Sequence, residues 1–235
     1  MMMLFTTTAG YRNGTKRNDP LSNVLILVGS MREHGNTQAL AKSFAEGAAE
    51  NNNVEIVSVA DYKVGPCTGC NHCYTSKDNR CCQNDDMDAI YEKLGRTDVL
   101  VIASPVYFYG ISAELKAIVD RLHTPLRNTF HIKRLGLFLV AATDLPDLFD
   151  PIVLQYEMIL RFFHLESIGI VLVGGVKDEG DIQDSDALTK AKELGRSIRR
   201  LSNGLNTKYR TENGRILTRS SAFSTSLTIQ PPFDR

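Results

Sequence analysis

All five cysteines of this 235-residue chain lie between positions 67 and 82. Cys67, Cys70 and Cys73 follow two consecutive C-x-x-C steps, and Cys81 and Cys82 come behind them. Thiolates are soft ligands, and three of them spaced by two residues share one tight turn. That arrangement suits one face of an iron–sulfur cubane, with a further thiol completing the set. Zinc is an open alternative with His72 as an added donor, although zinc more often takes two separated knuckles or a Cys/His mix. A thiol group that holds no metal is the third alternative. An odd number of cysteines fits a disulfide framework poorly and agrees with a reducing compartment.

A second group of polar residues lies upstream, in Gly29-Ser30-Met31-Arg32-Glu33-His34-Gly35-Asn36-Thr37. This loop joins a buried strand pattern to a helix pattern. A helix N-terminus offers free N–H groups and the positive end of the dipole, which suits a phosphate. Ser30, Asn36 and Thr37 supply further donors, and Arg32 can neutralise a dianion through two bonds. Gly35 permits close backbone approach. The loop is neither G-x-G-x-x-G nor a Walker A sequence, so it favours a monophosphate over a pyrophosphate or triphosphate. A plain strand–helix turn with Asn36 or Thr37 as cap is the simpler alternative.

Ser104-Pro105-Val106-Tyr107-Phe108-Tyr109-Gly110 ends a later strand pattern at the same sheet edge. Pro105 is expected to stop that strand. The aromatics and Gly110 can wrap a flat ring, or the aromatics can serve as core or dimer contacts. Thr143 lies in a third loop expected at that edge. His34, His123, His131 and His164 show no ligand spacing and read as surface or hydrogen-bonded residues. Asp85-Asp86 reads as a helix start that complements the dipole. Asp120-Arg121 reads as a helix-surface or interface pair. No side chain demands the role of catalytic base, so no catalytic residue is assigned.

The elements that carry these groups alternate. Apolar runs mark strands at 24–28, 54–59, 99–103, 135–142 and 168–173. The first is apolar throughout, as in a parallel strand buried on both faces, and the second alternates like an edge strand. Helix patterns occupy 38–50, 85–94, 112–122, 152–163 and 186–201. The result is a doubly wound α/β domain over 21–203, with a cysteine-rich excursion at 66–84. Residues 1–20 read as a mobile tail and 204–235 as an arm or disordered tail.

Net charge is zero, so there is no basic surplus for nucleic acid. No apolar run reaches the ~20 residues of a membrane helix. The N-terminal segment lacks the apolar core of a signal peptide, and a cytoplasmic location is expected.

The ordered set GS-x-R-x-x-GNT, C-x-G-C-x-x-C…C, DDM, SPVYF, Lys116 and Asp120-Arg121 resembles the NADPH-dependent FMN reductase family. Within it the set is most similar to the iron–sulfur flavoprotein branch, over residues 24–195. The resemblance implies a flavodoxin-like, five-stranded parallel sheet of order 2-1-3-4-5 with helices on both faces. It also implies bound FMN, NAD(P)H as donor, and a homodimer or homotetramer with flavins near the subunit interfaces. Ser30, Arg32, Asn36 and Thr37 would hold the FMN phosphate. Pro105, Val106, Tyr107, Phe108 and Gly110 would line the ribityl chain and the ring. Cys67, Cys70, Cys73 and Cys81 would hold a [4Fe–4S] cluster. Met31 stands where the family often has proline, the gap from Cys73 to Cys81 is long, and Cys82 can substitute for Cys81. The chain is expected to be an NAD(P)H-dependent flavin oxidoreductase with small-molecule acceptors or a ferredoxin-type electron partner. A non-enzymatic carrier is the alternative; carriers dock by strong negative charge, which this chain lacks. A metal-stapled binding module without flavin is a further one.

Overall fold

The structure, a computed structural model, describes residues 21–198 in full and the backbone of two short strands beyond them. The expectations for residues 1–20 and for most of 204–235 fall outside the described residues. The strands are β1 (Asn23–Val28), β2 (Asn53–Ser58), β3 (Val99–Tyr107), β4 (Gly110–Ile111), β5 (Arg134–Val140) and β6 (Glu166–Val173). The helices are α1 (Asn36–Ala48), α2 (His72–Thr75), α3 (Met87–Gly95), α4 (Ala113–Arg121), α5 (Asp150–Phe163) and α6 (Ala187–Ser197). Within the separate unit at 200–235, β7 (Tyr209–Arg210) pairs antiparallel with β8 (Ile216–Leu217).

The main sheet runs β2-β1-β3-β5-β6, all parallel, and β4 adds antiparallel to β3. Counting only the parallel strands, this is the expected 2-1-3-4-5 order of a doubly wound sheet; β4 is the one addition. Alternate side chains explain the continuous apolar runs. Val24, Ile26 and Val28 pack with α1 and α6, while Leu25 and Leu27 pack with α3, α4 and α5. Each such side chain, fully buried, stabilises the fold by roughly 1.5–3 kcal/mol. β2 lies at the sheet edge and is half-buried, as its alternation indicated.

α1 and α6 cross at two glycines. A Cβ on Gly47 would lie 1.9 Å from Lys192 O, and one on Gly195 would lie 2.2 Å from Phe44 O. Only a residue without a side chain permits that backbone approach. Among the described residues no helix is long and apolar enough to cross a membrane.

Pro105 does not end β3. The strand continues to Tyr107 and turns back into β4. Gly29 N–H donates to Ala103 O at 2.7 Å, so Ala103 directs its backbone groups toward β1. Pro105, two residues on, faces the same way. β1 has already ended there, its register with β3 closing at Val28 and Ala103. The missing N–H therefore costs no ladder bond.

Candidate functional site

The carboxyl ends of β1, β3, β5 and β6 bring their following loops to one edge, where ligands bind in open α/β sheets. In the loop after β1, Ser30 Oγ accepts from Arg32 N–H at 3.1 Å, and Gly35 N–H donates to Arg32 O at 3.3 Å. The loop thus curls over itself just before α1. Gly35, not Asn36 or Thr37, is the N-cap, with φ −66° and ψ 160° and no side-chain cap bond. The helix therefore starts two residues earlier than its apolar pattern suggested. A Cβ on Gly35 would sit 3.1 Å from both Ser30 Oγ and Arg32 Cβ, so glycine keeps this cradle open.

Asn36 is not free to cap because its amide is used elsewhere. Nδ2 donates to Asp178 O at 2.8 Å, and Oδ1 accepts from Ile182 N–H at 3.4 Å. Arg32 Nη1 donates to Lys177 O at 3.1 Å. Both side chains tie the loop after β1 to the loop after β6. Ser30, Asn36 and Thr37 are buried, and no acidic residue occupies the first turn of α1. The first turn of α1 carries no acidic residue to offset its free N–H groups and dipole, an arrangement that fits a phosphate.

The β3–β4 hairpin stands beside this cradle. Phe108 and Tyr109 form its two-residue turn, both at positive φ (48° and 63°), where bulky residues are rare. Phe108 is 97% exposed, and Tyr107 and Tyr109 are about half exposed. None of the three is a core residue. The hairpin's base is fixed: Ser104 and Ser112 are fully buried, and Ser104 Oγ accepts from Ser112 N–H at 3.0 Å. Pro105 and Val106 are at its base, and Gly110 opens its return strand. Thr143 lies exposed in the loop after β5, and its backbone oxygen would meet a Cβ on Gly174 at 3.0 Å.

The cysteine excursion lies elsewhere, between β2 and α3. Cys67, Cys70 and Cys82 are exposed, Cys73 and Cys81 are half-buried, and all five are free thiols. Cys70 Sγ lies 3.6 Å from Cys82 Sγ. The His72 N–H, the Thr68 hydroxyl and the Cys82 thiol hold the Cys70 thiol below the ordinary range, while contact with Cys70 pushes Cys82 up. Among the described residues no three His, Cys, Asp or Glu side chains are grouped to hold a metal as they stand. The donor set still fits an iron–sulfur centre chemically, since it is all thiol, within one loop. The loop's tip is anchored by Tyr74, whose hydroxyl lies 2.9 Å from His123 Nδ1, and by Thr124 Oγ1, which donates to Asn79 O at 3.0 Å.

The excursion's neck is closed at the start of α3, where Asp86 is the N-cap, as the sequence indicated, and Asp85 Oδ1 accepts from Met87 N–H at 3.2 Å. Asp86 makes no capping bond from its side chain. Its Oδ2 accepts from Lys63 N–H at 2.7 Å, and its own N–H donates to Lys63 O at 3.1 Å. Asp85 Oδ2 accepts from Gly65 N–H at 2.9 Å and pairs with Arg121 Nη1. Arg121 is not on the surface; it is only 4% exposed. Burial opposes the Asp85 charge, but Arg121 and the Gly65 and Met87 amides outweigh it and hold the carboxyl below its usual range. Burial also pushes the Tyr91 hydroxyl up to about 12, and that hydroxyl donates to Arg121 O at 2.8 Å. The sequence signal for this neck was the placement of Asp85-Asp86 just past the last cysteine.

The model of the NADPH-dependent FMN reductase family matches residues 22–145. An iron–sulfur flavoprotein of Methanocaldococcus jannaschii is 39% identical over 111 residues, 47% of this chain and 56% of that protein. An iron–sulfur flavoprotein of Archaeoglobus fulgidus is 30% identical over 193 residues, 79% of this chain and 81% of that protein. Among solved structures, the NAD(P)H:quinone oxidoreductase from Methanothermobacter marburgensis superposes with a TM-score of 0.61 at 17% identity, over 76% of this chain and 99% of that one.

Proposed function

The chain belongs to the NADPH-dependent FMN reductase family; we propose that it is an FMN-dependent oxidoreductase that takes electrons from NAD(P)H and delivers them through a [4Fe–4S] centre on its cysteine excursion. The observation that carries the flavin assignment is the α1 N-terminus, a curled loop with buried polar side chains, no opposing acid and a glycine that no Cβ can replace without crowding. Ser30, Arg32, Asn36 and Thr37 surround the phosphate position. Asn36 does so by bracing the loop through Asp178 and Ile182. The aromatic hairpin and Thr143 border the position for the ring. FMN, when bound, supplies the two-electron and one-electron chemistry, and the protein supplies binding, orientation and electrostatics.

Support for the cluster comes from the five thiols on one loop and from the relatives named iron–sulfur flavoproteins. Cys67, Cys70, Cys73 and Cys81 would hold it, and it would supply one-electron transfer. A quinone, an aromatic molecule, free flavin or a ferredoxin-type protein is the acceptor class. Purification without oxygen, followed by FMN, iron, sulfide and zinc analysis and a visible spectrum, tests both cofactors. Bound FMN with iron and sulfide is expected. Flavin without iron after anaerobic reconstitution removes the cluster, and zinc in its place reassigns the thiols.

Self-association is the proposed state, with α5 and β6 as the contact face. Leu154, Met158 and Phe162 are exposed at i, i+4 and i+8 of α5, and Ile170 and Leu172 are exposed on edge strand β6. Apolar patches of this kind mark interfaces. Sedimentation should show a dimer or tetramer that Met158→Glu weakens; a parent protein that sediments as a monomer removes this assignment.

A further inference from the structure

We propose that Arg121 is the positioning residue of the cysteine excursion: its buried guanidinium ties the strand-side end of the loop at Gly65 to the helix-side end at Asp85 and sets a positive charge behind the thiols. Nη1 reaches both Asp85 Oδ2 and Gly65 O, the latter at 3.3 Å. Asp85 completes the tie by accepting from Gly65 N–H at 2.9 Å and from Met87 N–H at 3.2 Å. Gly65 precedes the first cysteine and Asp85 follows the last, so one ion pair closes the loop that carries every thiol.

Stability alone does not explain the arrangement. Buried ion pairs contribute little net stability, and well-packed apolar replacements are often as stable. Arg121 Nε is buried without a hydrogen-bond partner, which adds a desolvation cost. The guanidinium bonds Gly65, two residues before Cys67, and pairs with Asp85, four residues after Cys81, so its charge lies at the base of the loop that carries the thiols. A thiolate-ligated iron centre is negatively charged, and a buried cation at that place favours it and its further reduction. The charge half of the proposal rests on the iron–sulfur reading; the tie does not.

The test uses the full chain and the variants Arg121→Met, Arg121→Lys and Asp85→Asn. Hydrogen exchange at the Lys63, Gly65 and Asp86 amides reads the tie without any metal. Arg121→Met should speed it about tenfold or more, with α1 amides and FMN content unchanged. Arg121→Lys should restore part of the protection. After anaerobic reconstitution with iron and sulfide, the midpoint potential reads the charge. Arg121→Met should move it to more negative values and Asp85→Asn to more positive ones, opposite signs that a purely structural defect does not produce. Unchanged neck exchange in every variant overturns the tie. Shifts of the same sign overturn the charge role. If Arg121→Met does not fold, the Lys and Asn variants decide the same questions. A parent protein that takes up no iron, with neck exchange still rising, removes the iron–sulfur reading and with it the charge role, and leaves the tie standing.

Discussion

At the carboxyl edge of the sheet, Ser30, Asn36 and Thr37 expose 5%, 7% and 3% of their surface, and Asn36 is bonded across to the loop after β6. On the cysteine excursion, Cys67, Cys70 and Cys82 are exposed, and α2 buries none of its residues. The first site is made by the fold itself: the strand ends, the helix start and the bracing loop are all needed for the sheet. The second is hung from the fold by a neck and by contacts at its tip. A site of the first kind is set before its ligand arrives, whereas the second, on the iron–sulfur proposal, would need the metal to gather its donors. The two should therefore fail independently.

The largest effect expected from that contrast is all-or-none. Cys70→Ser should abolish iron incorporation and leave FMN bound, because Cys70 lies centrally among the thiols and outside the sheet edge. Iron and flavin content of the purified variant check it. Joint loss of both cofactors would falsify the independence of the two sites. Cys82→Ser should be milder than Cys81→Ser if Cys81 is the fourth ligand. The 3.6 Å approach of Cys82 to Cys70 makes the reverse order the informative alternative.

Next in size is Arg32→Ala. It removes a charge-assisted contact worth about 1.5–3 kcal/mol, so FMN affinity should fall tenfold or more while riboflavin affinity changes little. Iron uptake should be unaffected. Titration of the apoprotein with both flavins decides, and equal affinities for FMN and riboflavin in the parent protein remove the phosphate assignment.

The same contrast shows what could be read from the residues alone. The parallel strands were legible because strands buried on both faces must be apolar throughout, as in 24–28, where Val24, Ile26 and Val28 serve one core and Leu25 and Leu27 the other; their order came only with the family resemblance. The loop after β1 was legible as a strand–helix connection because glycine and small polar residues interrupt the apolar pattern between the two elements. What escaped depended on partners distant in sequence. The role of Asn36 is set by Asp178 and Ile182, and that of Arg121 by Asp85 and Gly65. Pro105 misled because a proline ends a strand only where its missing N–H faces a neighbour, and here β1 has already stopped.

A smaller effect is expected at the hairpin turn. Phe108 holds positive φ with its side chain almost wholly in solvent, so it buries little in the chain alone. Phe108→Gly relieves a left-handed conformation that costs a non-glycine residue roughly 1 kcal/mol, so stability should hold or rise slightly. FMN affinity should fall severalfold if the aromatic covers the ring. Denaturant unfolding and flavin titration separate the two, and a clear loss of stability returns Phe108 to a structural role.

The smallest effect is on pH, and it separates the two regions by chemistry. The Asp85 carboxyl is held below its ordinary value of 3.8 by Arg121 and by two amides, which outweigh its burial. A group whose folded pKa is lowered contributes stability above its unfolded value and loses it as pH falls through the folded one. The neck should therefore begin to weaken below about pH 3.8. Tyr91 acts from the other side: its folded value of about 12 lies above the ordinary 10.0, so its contribution is complete below pH 10 and lost as pH rises toward 12. Ser30, Asn36 and Thr37, at the end of β1 and the start of α1, do not titrate. Hydrogen exchange, corrected for the intrinsic rate at each pH, should show Gly65 and Lys63 losing protection in acid before the amides of α1. Simultaneous loss at both places would mean that the excursion is part of the same cooperative unit as the sheet edge, and the neck would then be no more separable than the helix it adjoins.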